Sequence, residues 1–409
     1  MTSLPAPAPP AGRAQQHTLL VAALLLTGLS MRTAVTSVGA ELDNLQAGLH
    51  ASGTVAGLIT TLPVICFAGL GAVTPRLARR FGPHRLLTIS LVLTTLGLAV
   101  RPIGNSSVVF ALFSVVGLSG GAISNILMPS LVKRHFPNRI GQMTAVYTTA
   151  LAVGATAGAG LTVPIGDAGG SWRVGLGAWA VLAALAVLPW LPTLGDDRAD
   201  LAAHAASPQR GVPMSALLHS RTAWAVTAFF AAQSMQAYIA FGWFARFLSD
   251  HGIDHSTAGA MVAVFSAVGI PVSLVAPRVP PQHHRAVITA FCACNLIAYT
   301  GLAAAPTGGA WLWMVLAGIG GGTFPLALTL IGLRARTADT TAALSAFAQA
   351  IGYIVAGTGP LLFGALFGGT GSWALPLVVL FVALAITFVS AWPATADRYV
   401  DDEMAASPA

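Results

Sequence analysis

Residues 26–39 read LTGLSMRTAVTSVG, a stretch apolar enough to lie in hydrocarbon except that Arg32 sits inside it. A guanidinium cannot shed its proton, and at the centre of a membrane helix it costs roughly 3 kcal/mol on insertion scales, more where it faces lipid. It must therefore point inward, to a wet cavity or to a partner. The 13 acidic residues all fall in loops, tails or the ends of apolar runs, with Glu41 and Asp43 nearest, and none of the 10 histidines occupies the middle of a run. A bound anion is then the obvious partner, and the planar fork suits small oxygen-bearing or linear anions. Leu25, Gly28, Val35, Thr36 and Gly39 share its face at helical spacing, a stripe that is expected to leave room beside the fork. The alternative is structural: donation to backbone carbonyls of a neighbouring helix, or snorkelling towards Glu41 or Asp43.

Uncharged polar side chains recur in the same setting. Gln233, Gln236, Ala240 and Trp243 stand at i, i+3, i+7 and i+10, which puts two amides and an indole on one helical face. Ser345, Gln349 and Tyr353 are spaced by four, while Asn125 and Tyr147 stand in two further runs. Amides and phenols hold a polar solute without adding charge, and serve equally as glue between helices. The proton relays of many pumps need an Asp, Glu or His within the bilayer, so exchange, facilitated diffusion or carriage of the substrate's own proton fits better here. No Gly-Lys-Ser/Thr follows a glycine loop, so the sequence offers no phosphate cradle. No run contains a metal-ligand cluster or a nucleophile–base pair, and no cofactor, metal or enzymatic activity is expected. Cys66, Cys292 and Cys294 lie in apolar runs and read as core thiols. Arg246 has Asp250 one turn on and reads as a solvated pair, with Arg101 and Arg173 interfacial as well.

The elements that carry these residues follow from composition. Of 409 residues 55% are hydrophobic and 8% charged, with a mean hydropathy of +0.76, whereas soluble domains carry about a quarter charged residues. This is the composition of an integral membrane protein. Cut at its charges, prolines and glycines, the chain gives twelve runs of spanning length, near 18–40, 54–73, 86–103, 108–132, 141–165, 174–192, 222–246, 257–276, 286–305, 310–333, 341–367 and 374–392. The net charge of +7 comes from 20 basic residues, all arginine except Lys133. With both termini cytoplasmic, sixteen of those 20 fall inside. The surplus is read as fixing topology in a lipid bilayer rather than as binding nucleic acid. Residues 1–17 are expected to be a disordered cytoplasmic segment, 18–192 and 222–392 two six-helix bundles, 193–221 a cytoplasmic linker and 393–409 a cytoplasmic tail. No removable signal peptide is read at the N-terminus.

The second half repeats the first at an offset near two hundred residues. Ser30-Met31-Arg32 meets Ser234-Met235-Gln236, Thr74-Pro75-Arg76-Leu77 meets Ala276-Pro277-Arg278-Val279, and GLSGGAISN meets GIGGGTFPL. Parallel six-span repeats are one transporter arrangement, with the substrate site at the interface of the halves near the midplane.

With these features the sequence resembles the major facilitator superfamily over nearly its whole length. PRLARRFGPHR, after the second run, looks like that superfamily's loop motif: Arg80 and Gly82 match, Arg76 belongs to the same stretch, but Pro75 replaces the usual first glycine and Arg79 the usual aspartate. The gating contact attributed to that aspartate is thereby put in question. SMRTAVTSVG, GLITTLPVICFAGLGAVTPRLARRFG and NILMPSLVKRHFPNRIGQMTAVYTTAL are similar to the cyanate and 2-nitroimidazole transporter family. The resemblance implies an all-α fold of two pseudo-symmetric six-helix bundles and a secondary transporter of small anionic or polar solutes in the cytoplasmic membrane, working by rocker-switch alternating access and expected to act as a monomer. The candidate substrate residues are Arg32, Asn125, Tyr147, Gln233, Gln236, Trp243, Gln349 and Tyr353; Arg76, Arg79, Arg80 and Gly82 are the candidate gating loop. Two other readings compete: an efflux transporter for drugs or metabolites, which would favour an acidic residue in the membrane, and a non-transporting sensor or scaffold, which would favour an appended signalling domain.

Overall fold

The computed structural model describes residues 11–50, 53–197 and 212–406. Twelve helical spans are found in this range, and we number them α1 to α12. The first six are α1 (Ala11–Ala40), α2 (Gly53–Phe81), α3 (Pro83–Val100), α4 (Ser107–His135), α5 (Ile140–Ala168) and α6 (Trp172–Gly177 continuing as Trp179–Val187). The second six are α7 (Arg221–Asp250), α8 (His255–Val275), α9 (His284–Ala304), α10 (Ala310–Gly320 continuing as Thr323–Leu333), α11 (Ala338–Thr370) and α12 (Ala374–Ala394). Ten of these stretches meet, among the described residues, the length and apolarity that a bilayer crossing requires; α2 and α7 are equally long.

Local sequence explains the ends. Ser106, Ser220, Asp254 and Thr337 each accept a backbone N–H of the following first turn, at 3.5, 3.0, 3.0 and 3.1 Å, satisfying donors that a helix start leaves open. Prolines inside α2, α4, α5, α8 and α11 are tolerated because each span is enclosed by neighbours. The triple glycine at 320–322 breaks α10 in two, a feature the run of 310–333 did not foretell.

The pairing of helices repeats between the halves. α1 lies along α5 and α3 along α4, just as α7 lies along α11 and α9 along α10. Small residues set the first of these approaches: a Cβ on Gly154 would strike the Leu29 carbonyl, one on Gly28 would meet Tyr147 and Ala150, and Gly158 abuts Thr36. Part of the small stripe beside Arg32 thus brings α1 against α5 and does not widen a cavity, while Gly39 has open space. Outward-facing positions such as Ile103, Leu361 and Val389 are large and apolar, whereas Ser, Thr, Asn and Gln are turned inside, the inverse of a soluble protein.

One boundary differs from the sequence reading. The segment 1–17 is not wholly disordered, since α1 begins at Ala11. Within the segment 393–409, Val400–Ala406 is helical and lies under the starts of α7 and α11. In the linker, Met214–Leu217 forms one helical turn, and 198–211 lies outside the described residues.

Candidate functional site

Arg32 lies on α1, eight residues before its end, half-buried, with its guanidinium 5.5 Å from the Phe324 ring centroid of α10. That contact crosses from one half to the other. Among the described residues it has no carboxylate within ion-pair distance, and its guanidinium makes no hydrogen bond; Glu41, the suggested alternative, is buried and accepts from Asn44 at 2.7 Å. The side chain of Asp43 lies outside the described residues.

Beside it the halves are joined by an amide clasp. Asn125 on α4 donates through Nδ2 to Gln349 Oε1 at 2.8 Å and to the Tyr353 hydroxyl at 3.0 Å, both on α11. Gln349 Nε2 in turn donates to Ser345 Oγ at 2.8 Å, and Ser345 Oγ donates to the Ile126 carbonyl at 2.9 Å. All four side chains are buried. The spacing of four along α11 is what turns Ser345, Gln349 and Tyr353 to one partner helix. Aromatic rings surround the Tyr353 end: Phe67 at 5.0 Å, Phe230 at 5.2 Å and Tyr238 at 6.3 Å from its centroid, with Phe230 a further 6.3 Å from Phe324.

The other predicted residues do not join this cluster. Gln236, which the repeat pairs with Arg32, donates to Thr387 Oγ1 at 2.8 Å and accepts from Tyr299 at 3.0 Å, so its amide knits α7 to α12 and α9. Gln233 bonds to Phe230 O and Ser234 Oγ of its own helix. Trp243 donates to the Pro360 carbonyl at 3.1 Å and packs on Phe363 and Trp373. Tyr147 is fully buried in the α5 core, and among the described residues its hydroxyl has no partner at hydrogen-bond distance. Sequence spacing placed the α7 residues on one face, but long side chains on one face reach different neighbours.

On the side carrying the basic loops, Lys133 at the end of α4 donates to the carbonyls of Gly332, at 3.0 Å, and Ala335, latching one half to the other. Arg76, Arg79 and Arg80 are exposed there, and Arg79 lines a groove with Arg134 and Asp339 of the first turn of α11. Gly82 takes φ +85°, and a Cβ there would run into Asp197. The reason is a contact the sequence did not disclose. Asp197 accepts from the backbone N–H groups of His84, at 3.3 Å, and Arg85, at 2.7 Å, and pairs with His84 Nδ1 at 2.7 Å; His84 Nε2 meets His135 Nε2 at 2.7 Å. Burial raises the Asp197 pKa, but the bonds from His84 and Arg85 outweigh it and hold the carboxyl below its ordinary value.

Arg101 corrects the interfacial reading. It is 1% exposed, donates to the Ala34 carbonyl and to Ser37 Oγ at 2.9 Å each, and lies 5.7 Å from the Phe110 ring. Arg173 stacks on Trp172 at 4.4 Å and donates to Asn105, and Arg246 stays 3.9 Å from Asp250 in solvent, as read. Cys66 and Cys292 are buried and Cys294 partly so, all as free thiols.

Twelve spans in two matched halves, a cation and polar clasp where the halves meet, and apolar outer faces define a multi-pass membrane transporter of small solutes. The chain belongs to the major facilitator superfamily, whose family model matches residues 20–360. It is 33% identical to a 2-nitroimidazole transporter of Escherichia coli (strain K12), over 88% of this chain and 91% of that one, and 27% identical to the cyanate transport protein CynX of the same organism, over 86% and 90%. A solved structure of XylE, in a double-tryptophan mutant, superposes with a TM-score of 0.76 at 13% identity, covering 96% of this chain and 99% of that one, and shares the fold.

Proposed function

We propose that the protein moves a small anionic or polar solute, a cyanate-like anion or a nitroimidazole-like heterocycle, across the cytoplasmic membrane by alternating access, both termini facing the cytoplasm. The observation that carries this is Arg32: a fixed positive charge between the halves, half-open, with no carboxylate in reach among the described residues. The names of the two Escherichia coli relatives support the solute class, and the surplus of arginine on one side supports the orientation. Arg32 binds the solute's negative or electron-rich end. The Asn125–Gln349–Tyr353 clasp holds the halves together on the basic side of the site and must open when they rock the other way. Closing over the solute supplies the differential contacts that shift the two populations. No covalent step is needed.

The test is counterflow in proteoliposomes with a panel of small anions and neutral heterocycles, comparing the native chain with Arg32→Gln and Arg32→Lys. Arg32→Gln should abolish uptake of anions, and Arg32→Lys should retain a part. Equal transport by Arg32→Gln would overturn the reading.

A further inference from the structure

Two features of the site, taken together, narrow what it accepts. The first is the company Arg32 keeps. Phe67 from α2, Phe230 and Tyr238 from α7, Phe324 from α10 and Tyr353 from α11 form a connected set of rings, with Phe324 under the guanidinium itself. Of these, Tyr238 and Phe324 are only half-buried, like Arg32. Such a wall gives little back to a strongly hydrated, compact anion stripped of its water. A flat conjugated ligand stacks on it, edge-to-face or offset, and its delocalised charge costs less to desolvate.

The second feature is an acceptor left over. Both N–H groups of the Asn125 amide are committed, to Gln349 Oε1 and to Tyr353. Turning this amide over by itself would press Oδ1 against Gln349 Oε1, whose own Nε2 donates to Ser345. With the amide so placed Oδ1 is the free end, buried with no hydrogen-bond partner among the described residues. A buried amide oxygen in that state is expensive, and it accepts only. It lies on the group that bonds the Tyr353 phenol, which in turn lies within electrostatic reach of Arg32.

Resting on the reading of Arg32 as the solute's anchor, we propose that the site selects a planar conjugated ligand with an oxyanion or nitro group for Arg32 and, away from it, an O–H or N–H donor that Asn125 Oδ1 receives. The aromatic set sorts flat from puckered rings, and the orphan oxygen sorts ligands with a donor from those without. A linear anion satisfies the cation alone.

The test is competition against a transported or bound probe on the purified, reconstituted native protein, using benzoate, cyclohexanecarboxylate, 4-hydroxybenzoate and cyanate. Benzoate should bind about three- to tenfold more tightly than cyclohexanecarboxylate. The para hydroxyl should add about tenfold, and cyanate should be the weakest. Phe324→Leu should erase the preference for the flat ring, and Asn125→Ala the gain from the hydroxyl. The ratios on the native protein decide the matter even where Asn125→Ala loosens the clasp. If the carboxylates compete in an Arg32-dependent way but benzoate equals cyclohexanecarboxylate, or the hydroxyl adds nothing, this proposal is wrong and the anion site stands. If competition survives Arg32→Gln, the anchor itself is wrong.

Discussion

At the scale of single residues, two buried or half-buried guanidiniums divide the labour of α1. Among the described residues Arg32 keeps its fork unbonded between the halves, while Arg101 spends its donors on the Ala34 carbonyl and Ser37 hydroxyl of α1, two and five residues further along. A lysine cannot copy that two-pronged grip from the end of α3, since its donors radiate from one nitrogen. Arg101→Lys should therefore lower the stability of the detergent-solubilised protein by about 1–3 kcal/mol, with Arg173→Lys near neutral, measured by thermal unfolding. Gly82→Ala should be at least as harmful, because the left-handed backbone and the Asp197 carboxylate both refuse a Cβ. What the sequence disclosed at this scale was charge out of place: Arg32 stands out in an apolar run. Arg101 did not, because a basic residue at a run's end looks interfacial until the neighbouring helices are seen to enclose it. Asp197 was hidden for a different reason. Its partners His84 and Arg85 lie 113 and 112 positions away, and no spacing rule spans that distance.

At the scale of elements, the contacts between the halves form two tiers. Deeper in, α4 and α11 exchange side-chain bonds through Asn125, Gln349 and Ser345; nearer the basic loops, Lys133 caps the carbonyl end of α10. A helix C-terminus presents open carbonyls and a partial negative charge, which is why a lone ammonium is effective there. Bonds to charged groups contribute about 1.5–3 kcal/mol, so Lys133→Met should raise the population open on the basic side by about tenfold or more. A single cysteine placed on the inner face of α4 at Leu131 in a cysteine-free background should then react faster with a membrane-impermeant maleimide, and unchanged reactivity would deny Lys133 the role of latch. Gln349→Leu should act in the same direction and also weaken the solute, since it releases Asn125. The α11 tier was legible as a four-residue polar period, and the twelve runs as hydropathy. The α7 stripe misled because Gln236 and Trp243 share a face yet differ in reach: one meets Thr387 on α12, the other Pro360 on α11.

At the scale of the whole molecule, the basic face is held by carboxylates from distant parts of the chain. Glu403, beyond the last span, accepts from Ser220 Oγ at 2.6 Å and from the Thr222 N–H and hydroxyl at 3.0 and 2.7 Å, and so closes the start of α7. Asp401 accepts from the Arg336 N–H and from Thr340 at 2.7 Å each, and Asp402 takes the Arg336 guanidinium with both oxygens at 2.8 Å. The tail thereby ties α7, α11 and the loop between α10 and α11 into one block, while Asp197 closes α3 in the other half. Burial would raise Glu403, but the Ser220 and Thr222 bonds prevail and hold it below its usual value; the Arg336 bond lowers Asp402. A carboxylate with a depressed folded-state pKa stabilises fully above its unfolded value, about 4, and loses that contribution as the pH falls through the lower folded value. The face should accordingly be intact at neutral pH and loosen below about pH 4. Acid titration followed by limited proteolysis of the tail should show cleavage rising over that range in the native protein. Glu403→Gln, which cannot ionise and loses an acceptor, should be cut faster already at neutral pH and show a shallower acid dependence. A native tail cut equally at pH 3 and pH 7 would mean that these carboxylates do not hold it. Raised salt should weaken the Arg336–Asp402 pair, which is exposed, more than the enclosed Glu403 contacts.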